Sequence, residues 1–192
     1  MNAIEMLMQE HRLIEQVLNC LEEAAGRLEA GEQIAADFFI DAAEFVSGFA
    51  DGSHHRKEED ILFAAMTARD LPHDSGPVAV MLREHEEGRG FTAAFRSAAM
   101  QMKSGDAGAA AEVVRNVFDY VNLLQEHILK EDQVLFPMAA QVIPAAEMQD
   151  VSRAFEQIRA EDQDNGQLTR YQELALRLSE SLDTVVVSRS AQ

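Results

Sequence analysis

With 192 residues and a formal charge of −18, the chain is long enough for one compact domain and too acidic to favour nucleic acid or an anionic membrane as a partner. Four prolines and ten glycines leave no room for a long linker, and a single cysteine, Cys20, excludes an internal disulfide and fits a reducing, cytoplasmic setting. Met1 to Arg12 lacks the basic-then-apolar pattern of a signal peptide, and no run approaches the roughly 20 apolar residues needed to span a bilayer.

Helical periodicity runs through the whole sequence. Ile4, Leu7, Met8, His11, Ile14, Leu18 and Leu21 recur at three and four residues, which is one face of a helix that fades between Gly26 and Gly31. A second helix is expected from about Ala35 to Arg69, with Gly48 and Gly52 as points where it can kink. Pro72 and the turn residues from Asp74 close it, and Pro77 suits the first turn of a third helix ending near Ser104 and Gly105. Asp106 is placed to cap a fourth helix reaching about Gln141, after which Pro144 breaks the chain. Met148, Val151, Phe155 and Ile158 mark a fifth helix. Leu168, Tyr171, Leu174, Leu178 and Leu182 mark a sixth beyond Asn165 and Gly166. The fold class is therefore all-α: an up-down-up-down four-helix bundle over 1–141, a two-helix extension packed on it over 142–183, and a frayed tail over 184–192.

An internal repeat divides the bundle into two hairpins. His54-His-Arg-Lys-Glu58-Glu-Asp-Ile-Leu-Phe63 aligns without gaps on His127-Ile-Leu-Lys-Glu131-Asp-Gln-Val-Leu-Phe136, an offset of 73 residues, and Glu10-His11 aligns on Glu84-His85 at an offset of 74. Each half thus carries one histidine on its first helix and a His-x-x-x-Glu pair on its second. Four residues rise about 6 Å along a helix, so the imidazole and carboxylate of each pair project from one face.

Four imidazoles and two carboxylates facing one another in an apolar interior call for a cation. Leu7, Ile14 and Leu18 flank His11, and Leu123, Leu124 and Val134 flank His127 and Glu131. Unpaired carboxylates in such a stripe are costly, and a pair of dications supplies the countercharge. The metal donors read from the repeat are His11, His54, Glu58, His85, His127 and Glu131. Either carboxylate can bridge two ions, which in two-metal sites lie roughly 3.5–4 Å apart. The donor set suits iron, manganese or zinc.

One lone histidine, or one His-x-x-x-Glu pair, is ordinary on a helix surface; the register of two copies is what separates this pattern from chance. His55 and Glu59 share the spacing too, but Ile128 stands opposite His55 in the repeat, which favours His54. His73 belongs to a solvated turn, and Cys20 to the core. Met81 and Arg89 flank His85 by one turn each, and Tyr120 lies two turns before His127, so these three are the expected pocket-lining residues.

The order of His11, His54-x-x-x-Glu58, Glu84-His85-Glu86 with Gly88-Arg89, and His127-x-x-x-Glu131 resembles the hemerythrin-like (HHE cation-binding) family. The stretches Lys57–Phe63 and Lys130–Pro137 look like its two signature segments, and the similarity covers about residues 4–140. The resemblance implies an oxo- or hydroxo-bridged diiron centre whose irons are joined by Glu58 and Glu131. It also implies that a small diatomic or peroxide ligand is the partner, in oxidative or nitrosative stress or iron handling. Oxygen-carrying members have a fifth histidine one turn from the third-helix ligand, where this chain has Met81 and Arg89. By that likeness the chain is expected to be a reactive centre, with a non-catalytic oxygen or iron carrier or sensor as the alternative and zinc- or manganese-dependent hydrolysis behind both. A homodimer is the oligomer to test.

Overall fold

The chain enters its first helix through a reciprocal cap. The Asn2 side chain accepts from the Glu5 backbone N–H at 2.9 Å, and the Glu5 carboxylate accepts from the Asn2 N–H at 3.0 Å. The computed structural model describes residues 1–189, with side chains described as far as Leu182. Six helical segments follow, and no strand occurs among the described residues. They are α1 (Ala3–Glu29), α2 (36–67), α3 (Gly76–Lys103), α4 (109–142), α5 (Ala145–Asp164) and α6 (Gln167–Arg189). The tail expected over 184–192 lies outside the described side chains. Among the described residues no helix is long and apolar enough to cross a membrane.

Turn chemistry explains the boundaries. Gly31 adopts φ +85° after α1, a left-handed conformation that glycine enters without steric cost. Asp106 does not cap α4. Its carboxylate accepts instead from the Gly108 N–H at 2.9 Å, and Gly108 precedes the first helical residue, so Asp106 shapes the turn that leads into the helix.

Neither Gly48 nor Gly52 breaks α2. The helix instead widens into i→i+5 hydrogen bonding over Val46–His55 and again over Glu58–Leu62, and α4 does the same over Glu131–Leu135. Short π turns such as the two five-residue ones cluster at functional sites. The last two occupy matching positions of the repeat, while Val46–His55 has no counterpart in α4.

The four long helices pack as a ring, α1 against α2 and α4, and α3 against α2 and α4. Their interior is divided into two apolar clusters. One joins Leu18, Leu21, Phe45, Phe95 and Val117 to Leu174, Leu178 and Leu182 of α6. The other joins Leu7, Phe63, Met81 and Phe136 to Val151 and Phe155 of α5. Between them lies a layer of buried histidine and glutamate.

Gly48 receives α6. A Cβ built there would lie 1.8 Å from the Tyr171 hydroxyl and 2.2 Å from its ring carbon, so the ring fills the space a side chain would take. Gly48→Ala is therefore expected to destabilise the fold by about 1–3 kcal/mol through overpacking. In a Tyr171→Ala background the same Gly48→Ala change should cost close to nothing, whatever Tyr171→Ala costs by itself. Urea denaturation of the four proteins of the cycle measures the coupling; equal costs in both backgrounds would show that Tyr171 is not what Gly48 accommodates.

Candidate metal centre

His11, His54, Glu58, His85, His127 and Glu131 meet in the polar layer, and none is more than 1% exposed. α1 contributes His11, α2 His54 and Glu58, α3 His85, and α4 His127 and Glu131. Each carboxylate presents one oxygen to each side of the layer. Glu58 Oε1 lies 3.5 Å from His54 Nε2, and its Oε2 lies 3.6 Å from His85 Nε2. Glu131 Oε2 lies 3.2 Å from His11 Nε2, and its Oε1 lies 3.3 Å from His127 Nε2. Both glutamates therefore straddle two nitrogen-lined positions.

The outer ring nitrogens are all engaged. Nδ1 donates from His11 to Asp132 (2.8 Å), from His54 to Glu10 (2.9 Å), from His85 to Glu59 (2.7 Å) and from His127 to Glu84 (3.0 Å). A carboxylate behind a histidine fixes the tautomer and frees the other nitrogen as a donor to metal. The arrangement obeys the repeat: Glu10 and Glu84 are matching residues, as are Glu59 and Asp132. Lys57 and Lys130, also matched, pair with Glu10 and Glu84. Each half thus builds the support for a histidine of its own hairpin and for one of the other.

His55 joins the centre, against the expectation drawn from Ile128. It is buried, its ring stacks on His85 at 3.8 Å, and its Nδ1 faces Asp51 Oδ1 at 3.4 Å. Two groups of potential ligand atoms result, each within 4.8 Å: His55, Glu58, His85 and His127 on one side, and His11, His54, Glu58 and Glu131 on the other. Ile128 is itself buried in the apolar core, 4% exposed. The Ile marked a buried position, and a histidine at its counterpart adds a donor to one side only. The positions one turn from His85 are Met81 and Arg89, as expected, while α2 places a fifth imidazole, His55, within reach of the same side.

Of the three residues expected to line a pocket, two do. Arg89 and Tyr120 line a cavity of about 340 Å³ that reaches His55 and His85. Met81 does not line it; its side chain packs with Leu7, Phe63 and Phe136 below the polar layer. Arg89 bonds Asp51 (2.6 Å) and Glu59 (3.2 Å), bracing the carboxylates behind His55 and His85. Val134, expected in the apolar surround, is half exposed. His73 is exposed and Cys20 buried, as anticipated.

The donor set fits a pair of cations. All four oxygens of Glu58 and Glu131 and the Nε2 of His11 are buried without a hydrogen-bond partner. The Nε2 atoms of His85 and His127 lie 3.0 Å apart, so two nitrogen lone pairs converge where only a proton or a metal ion can separate them. Unpaired buried carboxylates cost several kcal/mol each, which a bound dication offsets.

Without metal, protons carry the countercharge. Burial, followed by the proximity of Glu131, pushes the Glu58 carboxyl well above the ordinary range. Burial pushes Glu131 the same way, but His127 and His11 outweigh it and hold it ionised. Burial opposes protonation of His127, yet Glu131 and Glu84 prevail and raise it to about 9. His54 is lowered to about 4 by burial. Burial opposes protonation of His11 too, but Asp132 and Glu131 raise it. Metal must therefore displace protons on Glu58, His127 and part of the His11 population; loading near neutral pH is expected to release about two to three protons and to tighten as pH rises toward 9. Calorimetric titration in buffers of different ionisation enthalpy counts them; an uptake independent of buffer would refute this protonation scheme.

The sequence profile of the Hemerythrin HHE cation binding domain matches residues 2–139, the stretch from the α1 cap almost to the end of α4. Uncharacterized proteins of Mycobacterium tuberculosis and Mycobacterium bovis are each 27% identical to the chain over 154 residues, which is 80% of this chain and 60% of the relative. The chain thus spans about 60% of the length of the curated relatives it matches. No solved structure matches it significantly. A profile that covers both hairpins, and with them every residue of the buried His/Glu layer, settles kinship: the chain belongs to the hemerythrin HHE cation-binding family.

Proposed function

We propose that the chain holds two iron ions in the polar layer and uses them to bind or react with a small oxidant, dioxygen, nitric oxide or peroxide. One observation carries the reading: Glu58 and Glu131 each offer one unpaired, fully buried oxygen to either side of the layer. Shared carboxylates hold two ions close without requiring either to leave its histidines. Imidazole and carboxylate donors without thiolate suit iron, and family membership points the same way.

The two sides are unequal. His55, His85 and His127 serve one, while only His11 and His54 serve the other, so the second leaves more coordination positions for an exogenous ligand. Iron supplies the redox chemistry when bound. The chain supplies the donors, four carboxylates that lock the histidine tautomers, and apolar clusters above and below that cover the layer at both ends. A carrier or sensor is the second reading, favoured specifically by the fifth imidazole at His55, which fills positions on one side that would otherwise exchange. Protective chemistry against peroxide or nitric oxide is the cellular role that fits the first.

Mixing the reduced, iron-loaded protein with each oxidant in a stopped-flow instrument tests the proposal. Rapid, saturable spectral change with at least one of the three is expected. A spectrum indifferent to all three, in protein carrying two irons per chain, would refute it.

A further inference from the structure

The cavity of about 340 Å³ between α2 and α3 breaks the symmetry of the repeat. Its wall includes Gly88 and Thr92, whose repeat counterparts are Ile14 and Leu18. Both counterparts are buried in the core, so the related space between α1 and α4 is filled with aliphatic side chains. His55 likewise replaces the buried Ile128. Smaller and more polar residues therefore open, on one side only, a space that reaches two of the histidines.

Most of the lining surface is apolar, although Asp51, Glu84, Arg89 and Arg96 also stand on it, and one buried polar group just behind the wall is unmet. Tyr120 is 1% exposed and its hydroxyl has no hydrogen-bond partner. A buried hydroxyl left unpaired is unfavourable by roughly 1–3 kcal/mol, so an acceptor in the cavity would gain from meeting it. Deep burial raises the phenol well above its ordinary pKa, keeping it a donor. An apolar cavity of about 150 Å³ accepts benzene, and drug-like pockets start near 300 Å³, so this one exceeds what a diatomic or peroxide needs.

We infer that this cavity binds a small organic molecule, an apolar ring or short bicycle bearing one acceptor oxygen, with Tyr120 donating to that oxygen beside His55 and His85. The assignment rests on the dinuclear iron reading only for what the molecule would lie against; the cavity and its donor belong to the chain itself. Such a molecule would be a co-substrate or effector in addition to the small oxidant.

The test uses iron-loaded protein, acetophenone as probe, and α-methylstyrene as its shape-matched analogue lacking the oxygen. Calorimetry should show saturable binding of acetophenone, with α-methylstyrene about tenfold weaker. Tyr120→Phe should weaken acetophenone by about the same factor and leave α-methylstyrene unchanged. Gly88→Ile and Thr92→Leu, which install the counterparts from the other half, should each abolish binding of both compounds while iron content stays at the wild-type value. Absence of binding by fully loaded wild type, or binding that survives both filling variants, would overturn the inference. If iron content falls short of two while the variants act as described, the dinuclear reading fails and the cavity assignment stands.

Discussion

Stripping iron from the loaded protein is expected to lower its melting temperature by roughly 10 °C or more. The magnitude follows from linkage: ligand held a thousandfold above its dissociation constant adds about 4 kcal/mol, and each kcal/mol moves a domain of this size by about 2–4 °C. The direction follows from the layer itself. Glu58 and Glu131 place four unpaired oxygens between two apolar clusters, and without metal only protons offset them. Chelated protein should also melt less cooperatively, because the polar layer is where the upper and lower clusters join. Differential scanning calorimetry of chelated and reloaded samples gives both quantities. Coincident transitions would mean that the layer is satisfied without ions.

His55→Ala should lower iron content from two per chain toward one and spare the pair formed by His11 and His54. Losing a residue that only supports a ligand weakens metal binding by about 10–100-fold, and a direct ligand should exceed that. Glu58→Ala, in contrast, should remove both irons, since Glu58 belongs to both donor groups. His73→Ala, in an exposed turn, should change nothing. Elemental analysis of the three variants after identical reconstitution orders them. Full iron occupancy in His55→Ala would return His55 to a packing role and restore the four-histidine description.

How far the sequence disclosed this centre depended on what kind of signal each residue left. The helices were legible because their apolar faces recur at three and four residues, and the hairpin repeat was legible because two halves of one chain can be compared directly. That comparison located six donors, all of which the fold brings into one layer. It also set His55 aside, because dissimilarity between His55 and Ile128 was taken to mark a position outside the site, whereas the fold stacks His55 on His85. Burial is what the two positions share, and residue identity does not report burial when one half is polar and the other aliphatic. The carboxylates behind the histidines were visible as the doublets Glu10-His11 and Glu84-His85 and the match of Glu59 with Asp132. Their pairing crosses from helix to helix, which no spacing along one helix reveals. Met81 was misjudged for a related reason: one turn from His85 along α3 leads down into the lower apolar cluster, whereas the cavity opens along Gly88 and Thr92 on the other side. Gly48 suggested a kink, and its actual use, admitting Tyr171, depends on a helix more than a hundred residues away.

The central claim is that two irons share Glu58 and Glu131 in unequal surroundings. Mössbauer spectroscopy of the oxidised protein, reconstituted with isotopically enriched iron and assayed for metal content, tests it most directly. The account predicts about two irons per chain, coupled to a diamagnetic ground state, in two doublets of equal area that reflect three imidazoles on one side and two on the other. A single iron per chain, or two that behave as isolated paramagnetic ions, would contradict it.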